Sequence, residues 1–323
     1  MTKFVISGYI GFDNFGDEAI AKVLTSYLKA NNAEKITLLS SNPIKTARLY
    51  EVNSENYLKF FKPIVESDVL ISGGGSLLQD ITSLKSLVYY LAVIVTALIL
   101  GKKVIIFAQG FTPFRTKVGK IFTSLVLKYC NKIYVRDVKS QEILKNLNIE
   151  SELITDPVFG VKVNYQDKKN GIGIQLRSFP TLSENFLDKL AIAIKNHFPP
   201  QKIKLFSLQD SLDLKVLEHF AQKLNSLEYE TEILKNLSVE ECINEISKLE
   251  YLIGMRFHSA LIAAKSGVKV LGINYDVKVL TLAKTLNFPI IGLGQENFDN
   301  EFEELKNLDW NNYNIPDFKF PEI

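Results

Sequence analysis

An arginine and a histidine lie two positions apart at the end of a short apolar run in the second half of the chain. Arg256 and His258 follow the strand-like residues 252–255. In an extended conformation these two side chains point the same way, while Phe257 faces the core. The helix predicted to begin near Ser259 adds backbone N–H groups and its positive dipole end to the same place. The pattern predicts an anion site in which His258 donates a proton or binds phosphate, although a lone histidine more often has a structural role.

Two further arginines follow predicted strands in the same way. Arg136 comes directly after residues 133–135, and Arg177 comes directly after residues 172–176. A guanidinium group binds a carboxylate or a phosphate through two parallel hydrogen bonds. A single arginine is more often part of a surface ion pair. Three of them at strand ends, counting Arg256, favour the binding of an anionic small molecule.

A glycine-rich segment, residues 8–20, joins the first predicted strand to the first predicted helix. Glycines let the backbone turn tightly and approach a ligand, and the helix N-terminus offers free N–H groups. The spacing differs from the dinucleotide-binding G-x-G-x-x-G pattern. The carboxylates of the segment favour recognition of hydroxyls over phosphate, and the alternative for Asp17 is that it only caps the helix. The candidate residues are Gly11, Asp13, Asn14, Gly16 and Asp17.

Three consecutive glycines, Gly73, Gly74 and Gly75, follow a buried predicted strand. A plain turn does not need three glycines, so the triplet favours close approach of a substrate to the backbone. The next residue, Ser76, is predicted to begin the following helix. The alternative explanation is tight packing between the strand and that helix.

Polar residues also end a strand near the carboxyl terminus. They are Asn274, Tyr275, Asp276 and Lys278. These side chains either bind the anionic ligand or a sugar, or form a turn in which Asp276 caps the next helix. The sequence leaves both alternatives open.

Short β-rich runs alternate with amphipathic helices almost end to end, which is typical of parallel sheets wound with helices. The pattern starts again after the polar residues 163–170, which we interpret as a linker. We predict an α/β protein of two Rossmann-like doubly wound domains, residues 1–165 and 166–323, with the last residues as candidates for packing back on the first domain. In this GT-B-like architecture a ligand cleft is expected between the carboxyl ends of the two sheets. The predicted strands are 4–7, 36–39, 69–72, 104–108, 133–135, 152–154, 171–176, 203–207, 251–254, 270–273 and 290–292.

Composition narrows the classes of function. The net charge is +2, with 23% charged and 46% hydrophobic residues, so the chain resembles an ordinary globular protein and gives no case for nucleic-acid binding. Cys130 and Cys242 lie far apart and are predicted to be free thiols, and no metal site is expected. No secretory signal is recognised, and the uncharged residues 86–100 are too few for a membrane span, which needs about 20. They predict a fully buried core helix, or one that touches a membrane surface, in a cytoplasmic protein.

In their order and spacing these segments resemble the polysaccharide pyruvyl transferase family, in particular its CsaB-type branch, which is associated with bacterial cell-wall polymers. The resemblance covers nearly the whole chain. One departure is Val277, where the family tends to have proline. The matching segments are GDEAI at 16–20, GGGSLLQD at 73–80, VRD at 135–137 with Ser140, DP at 156–157, RFHS at 256–259 and GINYD at 272–276.

The resemblance implies phosphoenolpyruvate as the donor and no metal or nucleotide cofactor. It implies that pyruvate is joined as a ketal to two hydroxyls of one sugar, often N-acetylmannosamine in a lipid-linked wall precursor. It places the donor on the second domain, at Arg256 and His258 with Ser259 beside them and Arg177 as a second arginine. The acceptor is then expected on the side of the first domain. No oligomeric state is implied.

The chemistry expected from these residues is acid–base catalysis on a bound anion. Arg177 and Arg256 would hold the donor carboxylate and phosphate, and a protonated His258 would supply a proton to the methylene carbon or to the departing phosphate. Asp13 or Asp17 would take the proton of the sugar hydroxyl. The competing hypotheses are a nucleotide-sugar glycosyltransferase of the same architecture and a non-catalytic saccharide-binding protein.

Overall fold

The computed structural model describes residues 2–80, 83–163, 166 and 169–323 and divides the chain into two compact units. Unit 1 comprises Met1–Val161 together with Asp317–Ile323, and unit 2 comprises Lys162–Pro316. The linker expected from the sequence, residues 163–170, lies partly outside the described residues, since 164, 165, 167 and 168 are not among them.

Unit 1 is a seven-stranded parallel sheet with the strand order β3-β2-β1-β4-β5-β6-β7. Its strands are β1 (Lys3–Ile10), β2 (Lys35–Ser40), β3 (Asn53–Asn56), β4 (Val69–Gly73), β5 (Lys103–Gln109), β6 (Lys132–Val135) and β7 (Glu152–Leu153). The connecting helices are α1 (Phe15–Ala30), α2 (Pro43–Tyr50), α3 (Phe61–Val65), α4 (Leu84–Ile99), α5 (Lys117–Leu127) and α6 (Val138–Lys145), with 3₁₀ turns at Tyr57–Lys59 and Pro157–Gly160.

Unit 2 is a six-stranded parallel sheet with the strand order β10-β9-β8-β11-β12-β13. Its strands are β8 (Ile172–Gln175), β9 (Lys202–Phe206), β10 (Glu230–Leu234), β11 (Tyr251–Gly254), β12 (Lys269–Asn274) and β13 (Ile290–Gly292). Its helices are α7 (Glu184–His197), α8 (Asp210–Ser226), α9 (Val239–Ser247), α10 (Phe257–Lys265), α11 (Val277–Leu286) and α12 (Asp299–Asn307), with a 3₁₀ turn at Trp310–Asn312.

The strand order reverses once in each sheet. In unit 1 the reversal lies between β1 and β4, and in unit 2 it lies between β8 and β11. The carboxyl ends of strands at such a reversal are where ligands of doubly wound sheets usually bind. The two glycine-rich segments follow β1 and β4, while Arg177 and Arg256 follow β8 and β11. The topology therefore brings the candidate residues of each unit to the carboxyl edge of its own reversal point.

The local sequence explains most of these elements. The strands of the sheet centres are apolar and buried on both faces, as β4 and β5 show. Helix α9 begins with a complete capping box, in which Ser238 and Glu241 bond each other's backbone N–H groups, as the sequence predicts. The strands that the sequence did not predict, β3 and β10, are both edge strands with polar or charged residues.

The uncharged segment at residues 86–100 lies within α4. Its buried face consists of Leu87, Tyr90, Leu91, Val93, Ile94 and Ala97, so the prediction of a core-packed helix is met on that side. Val88 and Ile99 on the other side are exposed, so the prediction that the helix is fully buried is wrong: only one face of it packs on the sheet. Within the described part of the chain no helix combines the length and apolar character that a membrane crossing requires.

The last residues of the chain pack on unit 1. The ring of Phe320 stacks on Tyr27 with 3.7 Å between ring centroids, and the Tyr134 hydroxyl donates to the Glu322 carbonyl at 2.8 Å. Phe318 fills the space where a side chain at Gly160 would be. Unit 1 is thus completed by a segment that follows the whole of unit 2 in sequence.

Replacing Phe320 with alanine should lower the free energy of unfolding by about 2 kcal/mol, because a half-buried ring and its stacking contact are lost. Phe61→Ala is the matched control: Phe61 is 61% exposed, and its loss should change stability by no more than about 0.5 kcal/mol. Urea denaturation followed by circular dichroism measures both. Equal stability of Phe320→Ala and wild type would show that the terminal segment does not hold unit 1 together.

Candidate functional site

The unit 2 site is built on three neighbouring strands. β8, β11 and β12 are adjacent in the sheet, and Gln175 of β8 lies opposite Gly254 of β11 in the parallel register. Arg177 and Arg256 each lie two residues beyond this pair, and Tyr275 follows the end of β12. Neighbouring strands are about 4.8 Å apart, so the three side chains start from one edge of the sheet.

Arg256 is held by a buried carboxylate. Its Nε lies 3.1 and 3.0 Å from the two carboxylate oxygens of Asp213, and its Nη2 lies 2.6 Å from Oδ1. Asp213, in the first turn of α8, is fully buried and also accepts the backbone N–H groups of Leu208 and Gln209 at 2.9 and 3.0 Å. Such a bidentate, buried pair fixes the plane of the guanidinium group.

Two glutamines complete the arrangement around Arg256. Gln175 accepts the backbone N–H of Arg256 at 2.7 Å and donates to Asp213 at 3.3 Å, and the Gln209 side chain accepts from Nη2 at 3.3 Å. These bonds use Nε and Nη2 of Arg256. Among the described residues its Nη1 has no hydrogen-bond partner, which leaves this nitrogen to bind an anion.

His258 lies in a helix, so the extended conformation expected around it is wrong. β11 ends at Gly254, Arg256 is the N-cap, and Phe257 is the first residue of α10. Phe257 and His258 are both half-buried, and Met255 is the residue that enters the core. His258 instead occupies the first turn of α10, and the N-terminal end of a helix favours a nearby anion. Its role in proton transfer stays a prediction.

Ser259 has a structural contact that the sequence did not suggest. It is fully buried, and its hydroxyl donates to the Arg256 carbonyl at 2.7 Å. The helix also begins two residues earlier than expected at Ser259. The hydroxyl therefore stabilises the first turn of α10. To donate a hydrogen bond to the donor substrate, it would have to give up its bond to the Arg256 carbonyl.

Arg177 differs from the other two candidate arginines. Its Nη1 donates to the Tyr275 hydroxyl at 3.3 Å, and its guanidinium lies 5.4 Å from the centre of the Tyr275 ring. Phe179 packs edge-on against the same ring at 5.0 Å. Arg177 forms no ion pair in the part of the chain that the structure describes, and its buried Nε has no hydrogen-bond partner there. Its positive charge is thus uncompensated at the sheet edge.

The turn after β12 has its explanation in helix capping. The Asp276 carboxylate accepts the Lys278 backbone N–H at 2.9 Å and caps α11, which selects the second of the two alternatives for this residue. Asn274 and Tyr275 are half-buried beside it. Val277 is the first residue of α11, the position at which proline is well tolerated, so the departure from the family pattern does not disturb the helix start.

In unit 1 the first glycine-rich segment is organised by Asn14. Asn14 is the N-cap of α1 and accepts the Gly16 backbone N–H at 3.0 Å, so the interpretation of Asp17 as the cap is wrong. Asp17 is the third helical residue, and it faces the second glycine segment: a Cβ on Gly75 would come within 2.5 Å of its carboxylate. The two segments therefore meet at the reversal point of the unit 1 sheet.

The glycine triplet serves two purposes. Gly74, with φ of +52°, packs so closely on Ile20 that a Cβ would clash with it, which is the tight strand–helix packing considered above. Gly75, with φ of +77°, leaves room for Asp17. Both angles favour glycine. Gly73 is the last residue of β4 and has an ordinary backbone.

Ser76 does not begin a helix, contrary to the sequence prediction. α4 starts at Leu84 with Ser83 as its cap. Ser76 instead accepts a hydrogen bond from Arg136 Nη2 at 3.4 Å, while Arg136 Nη1 forms an ion pair with buried Asp156 at 3.1 Å. Leu77 and Leu78, which follow Ser76, are buried in the core of unit 1.

The remaining carboxylates of the first segment have different surroundings. Asp13 is exposed, has a φ of +56° and pairs with Lys45 at 2.6 Å. Glu18 accepts the Gly11 backbone N–H at 2.7 Å and the Tyr50 hydroxyl. Burial raises the pKa of Glu18, and the charge of Asp13 raises it further. Glu18 therefore holds the loop around Gly11 in place.

Asp17 lies among phenols in a small cavity at the end of β1 and β4. Residues that line this cavity include Tyr9, Asp17, Ile20 and Gly73. Burial raises the pKa of Tyr9, and the Asp17 carboxylate raises it further; the pKa of Tyr90 is raised for the same two reasons. Among the described residues no group of three metal-binding side chains is arranged to hold a metal ion.

The sequence matches a known protein family. The sequence model of the polysaccharide pyruvyl transferase family matches residues 14–277. The chain belongs to this family. The resemblance to this family that the motifs indicated is thereby confirmed, and membership of the family supports a pyruvyl transferase as the broad class of function. A comparison with curated proteins finds no match.

Solved structures of sugar-nucleotide enzymes share the fold. Anabaena HepE in complex with UDP and glucose has a TM-score of 0.64 and 11% identity over 98% of this chain and 92% of that one. UDP-GlcNAc 2-epimerase from Neisseria meningitidis bound to UDP-GlcNAc also has a TM-score of 0.64, with 12% identity over 94% and 91%. A putative UDP-N-acetylglucosamine 2-epimerase from Listeria monocytogenes has a TM-score of 0.64 and 10% identity over 95% and 88%. At these identities the likeness shows the fold alone, and it confirms the predicted GT-B-like pair of Rossmann-like domains.

The residues that surround Arg256 were not predicted from the sequence. Gln175 ends β8, while Gln209 and Asp213 lie at the start of α8. A buried aspartate in the first turn of a helix resembles an ordinary capping residue in sequence. Only the parallel pairing of β8 with β11 brings these side chains to Arg256.

Asp213→Asn should lower the free energy of unfolding by about 3 kcal/mol, because it leaves the buried Arg256 charge without its counter-charge. Asp188→Asn is the control, since Asp188 pairs with Lys223 on the surface and should contribute no more than about 1 kcal/mol. Thermal unfolding of both variants measures the difference. Similar melting temperatures for the two would mean that the Arg256–Asp213 pair does not stabilise unit 2.

Proposed function

We propose that this protein transfers the pyruvyl group of phosphoenolpyruvate to two hydroxyls of one sugar, forming a ketal in the synthesis of a cell-wall or other surface polysaccharide. Membership of the pyruvyl transferase family supports the reaction class. The observation that carries the choice of donor is the pair of arginines at the unit 2 reversal point. Phosphoenolpyruvate has a carboxylate and a phosphate, and two guanidinium groups on neighbouring strands suit two anionic groups.

In this proposal the two arginines have unequal tasks. Arg177 has no counter-charge among the described residues, so it supplies net positive charge to the donor. Arg256 is neutralised by Asp213 and offers a fixed, pre-oriented Nη1. Fixed donors stabilise developing charge without reorganising at the moment of reaction. The N-terminus of α10 adds backbone N–H groups for the phosphate.

The reaction needs one proton delivered to carbon and one to phosphate. The first sugar hydroxyl adds to C2 of the donor while the methylene carbon C3 gains a proton, which makes the methyl group of the ketal. The second hydroxyl then attacks C2, the C2–O bond to phosphate breaks, and inorganic phosphate leaves with the second proton. We assign the proton delivery to His258, in the first turn of α10, as a general acid.

For the acceptor we propose the glycine-lined edge of the unit 1 sheet. Asp13 is exposed and paired with Lys45, whereas Asp17 lies in the small cavity beside Gly73 and Gly75. We therefore favour Asp17 as the group that takes a proton from a sugar hydroxyl. The Arg136–Ser76 contact at the same edge supports the position of the second glycine segment.

The test is incubation with phosphoenolpyruvate and a panel of lipid-linked or aryl-tagged amino sugars, with phosphate release and product mass as readouts. His258→Ala should lower kcat by about 10²- to 10⁴-fold while the protein remains folded. His219→Ala is the matched control, because His219 pairs with Glu184 on the surface of unit 2 and should leave kcat unchanged. Near-normal turnover of His258→Ala removes His258 from the mechanism.

Donor identity is tested by ligand-induced thermal stabilisation. Phosphoenolpyruvate should raise the melting temperature of the wild type, and Arg177→Gln should raise the dissociation constant for phosphoenolpyruvate by about 30-fold or more, the loss expected for a charge-assisted bond. UDP is the comparison ligand. Stabilisation by UDP with none by phosphoenolpyruvate would favour a nucleotide-sugar glycosyltransferase instead.

A further inference from the structure

Helix α5 of unit 1 carries an apolar face that points to solvent. Its residues are Val118, Ile121, Phe122, Leu125 and Tyr129, the last just beyond the helix end. They recur at i, i+3, i+4, i+7 and i+11, the spacing of one helical face. Each of them is between 53% and 69% exposed. The opposite side of the helix, with Thr123, Val126 and Leu127, is buried in the unit.

The helix that packs against α5 also exposes apolar side chains. α4 packs against α5, and α4 exposes Leu84, Val88 and Ile99 in addition. Single exposed apolar residues are normal on a protein surface, but two contacting helices with apolar exposed sides mark an interaction surface. We call the five α5 residues, Val118, Ile121, Phe122, Leu125 and Tyr129, the α5 face.

The chain segment that carries the α5 face has charges of one sign only. The stretch of chain that contains α4 and α5, residues 81–136, holds nine lysines and arginines and no aspartate or glutamate. Lys117 and Lys128 lie beside the α5 face on the helical wheel, Lys120 lies farther round the helix, and all three are exposed. They form no ion pair among the described residues. The surface thus combines apolar residues with uncompensated positive charge.

We propose that the α5 face docks on a membrane surface that contains anionic lipids. A helix with phenylalanine and leucine on one side and lysines at its flank has the character of helices that lie in the lipid headgroup region. Each lysine near an anionic surface adds to the attraction, and the apolar side chains enter the boundary of the acyl chains. The structure places this face on α5, whereas the sequence suggested only that residues 86–100 of α4 touch a membrane.

A second copy of the chain fits the α5 face less well. In a two-fold symmetric dimer the same patch meets itself, so the lysines of both copies would be brought together. The segment has no acidic residue to neutralise them. Anionic lipid headgroups supply the missing negative charge, which is why we choose this occupant.

The proposal is tested by sedimentation of the full chain with vesicles of phosphatidylcholine alone or mixed with phosphatidylglycerol, without substrate. The wild type should bind the mixed vesicles, and binding should weaken as salt is raised. The double variant Ile121→Ser with Phe122→Ser should bind at least about tenfold more weakly. Lys117→Gln with Lys128→Gln should weaken binding to the mixed vesicles by about tenfold or more and change binding to phosphatidylcholine alone little.

Ile192→Ser is the matched control, because Ile192 is 54% exposed on α7 of unit 2 and lies outside the α5 face. It should bind vesicles as the wild type does. All variants change exposed residues, so their circular dichroism and melting temperatures should equal those of the wild type. Phosphate release with a water-soluble acceptor should also be unchanged, which keeps this result separate from the test of the proposed reaction.

Two results would overturn the proposal. One is equal vesicle binding by the wild type and the Ile121→Ser, Phe122→Ser variant, or no binding by either. The other is a dimer in light scattering that this double variant dissociates, together with a lack of vesicle binding. The second result would assign the α5 face to another copy of the chain.

Discussion

The unit 2 site depends on one buried ion pair, Arg256 with Asp213. Removing a guanidinium and a carboxylate from water costs several kcal/mol for each group, and only close geometry with further hydrogen bonds offsets that cost. The structure supplies these bonds from Gln175, Gln209 and the backbone at the start of α8. The pair therefore ties β8, β11 and α8 together and fixes the direction in which Arg256 presents Nη1.

The same device occurs in unit 1, and the comparison separates the roles of the arginines. Arg136 follows β6 and pairs with buried Asp156, as Arg256 follows β11 and pairs with buried Asp213. Arg177 follows β8, and among the described residues its hydrogen bond and its cation–π contact are both with Tyr275. The three arginines follow predicted strands in the same way, but only Arg177 adds an unpaired positive charge at its sheet edge. In the proposed reaction, the neutralised Arg256 would position the donor and the uncompensated Arg177 would attract it.

The sequence predicts what local pattern and periodicity control. Strand β11 in the middle of its sheet and edge strand β13 are both predicted to the residue, because they are short, apolar and bounded by turns. Edge strands β3 and β10 are polar and leave no such pattern. Asp213 lies 43 residues before Arg256, and no local feature connects them. The prediction of an extended backbone at His258 was wrong, because the alternation of side chains in a strand does not show at which residue the strand ends and the helix begins.

The net charge of the chain does not reveal how its charges are distributed. A net charge of +2 suggests an electrically neutral protein, yet residues 81–136 contain nine basic and no acidic residues, so the rest of the chain is net acidic. Net charge alone hides this segregation, and the apolar residues of α5 resemble a core helix until their exposure is known. Where a lysine-flanked helix exposes phenylalanine and isoleucine, burial in the protein does not account for the pattern. The proposed docking on an anionic membrane surface would account for both the apolar side chains and the lysines.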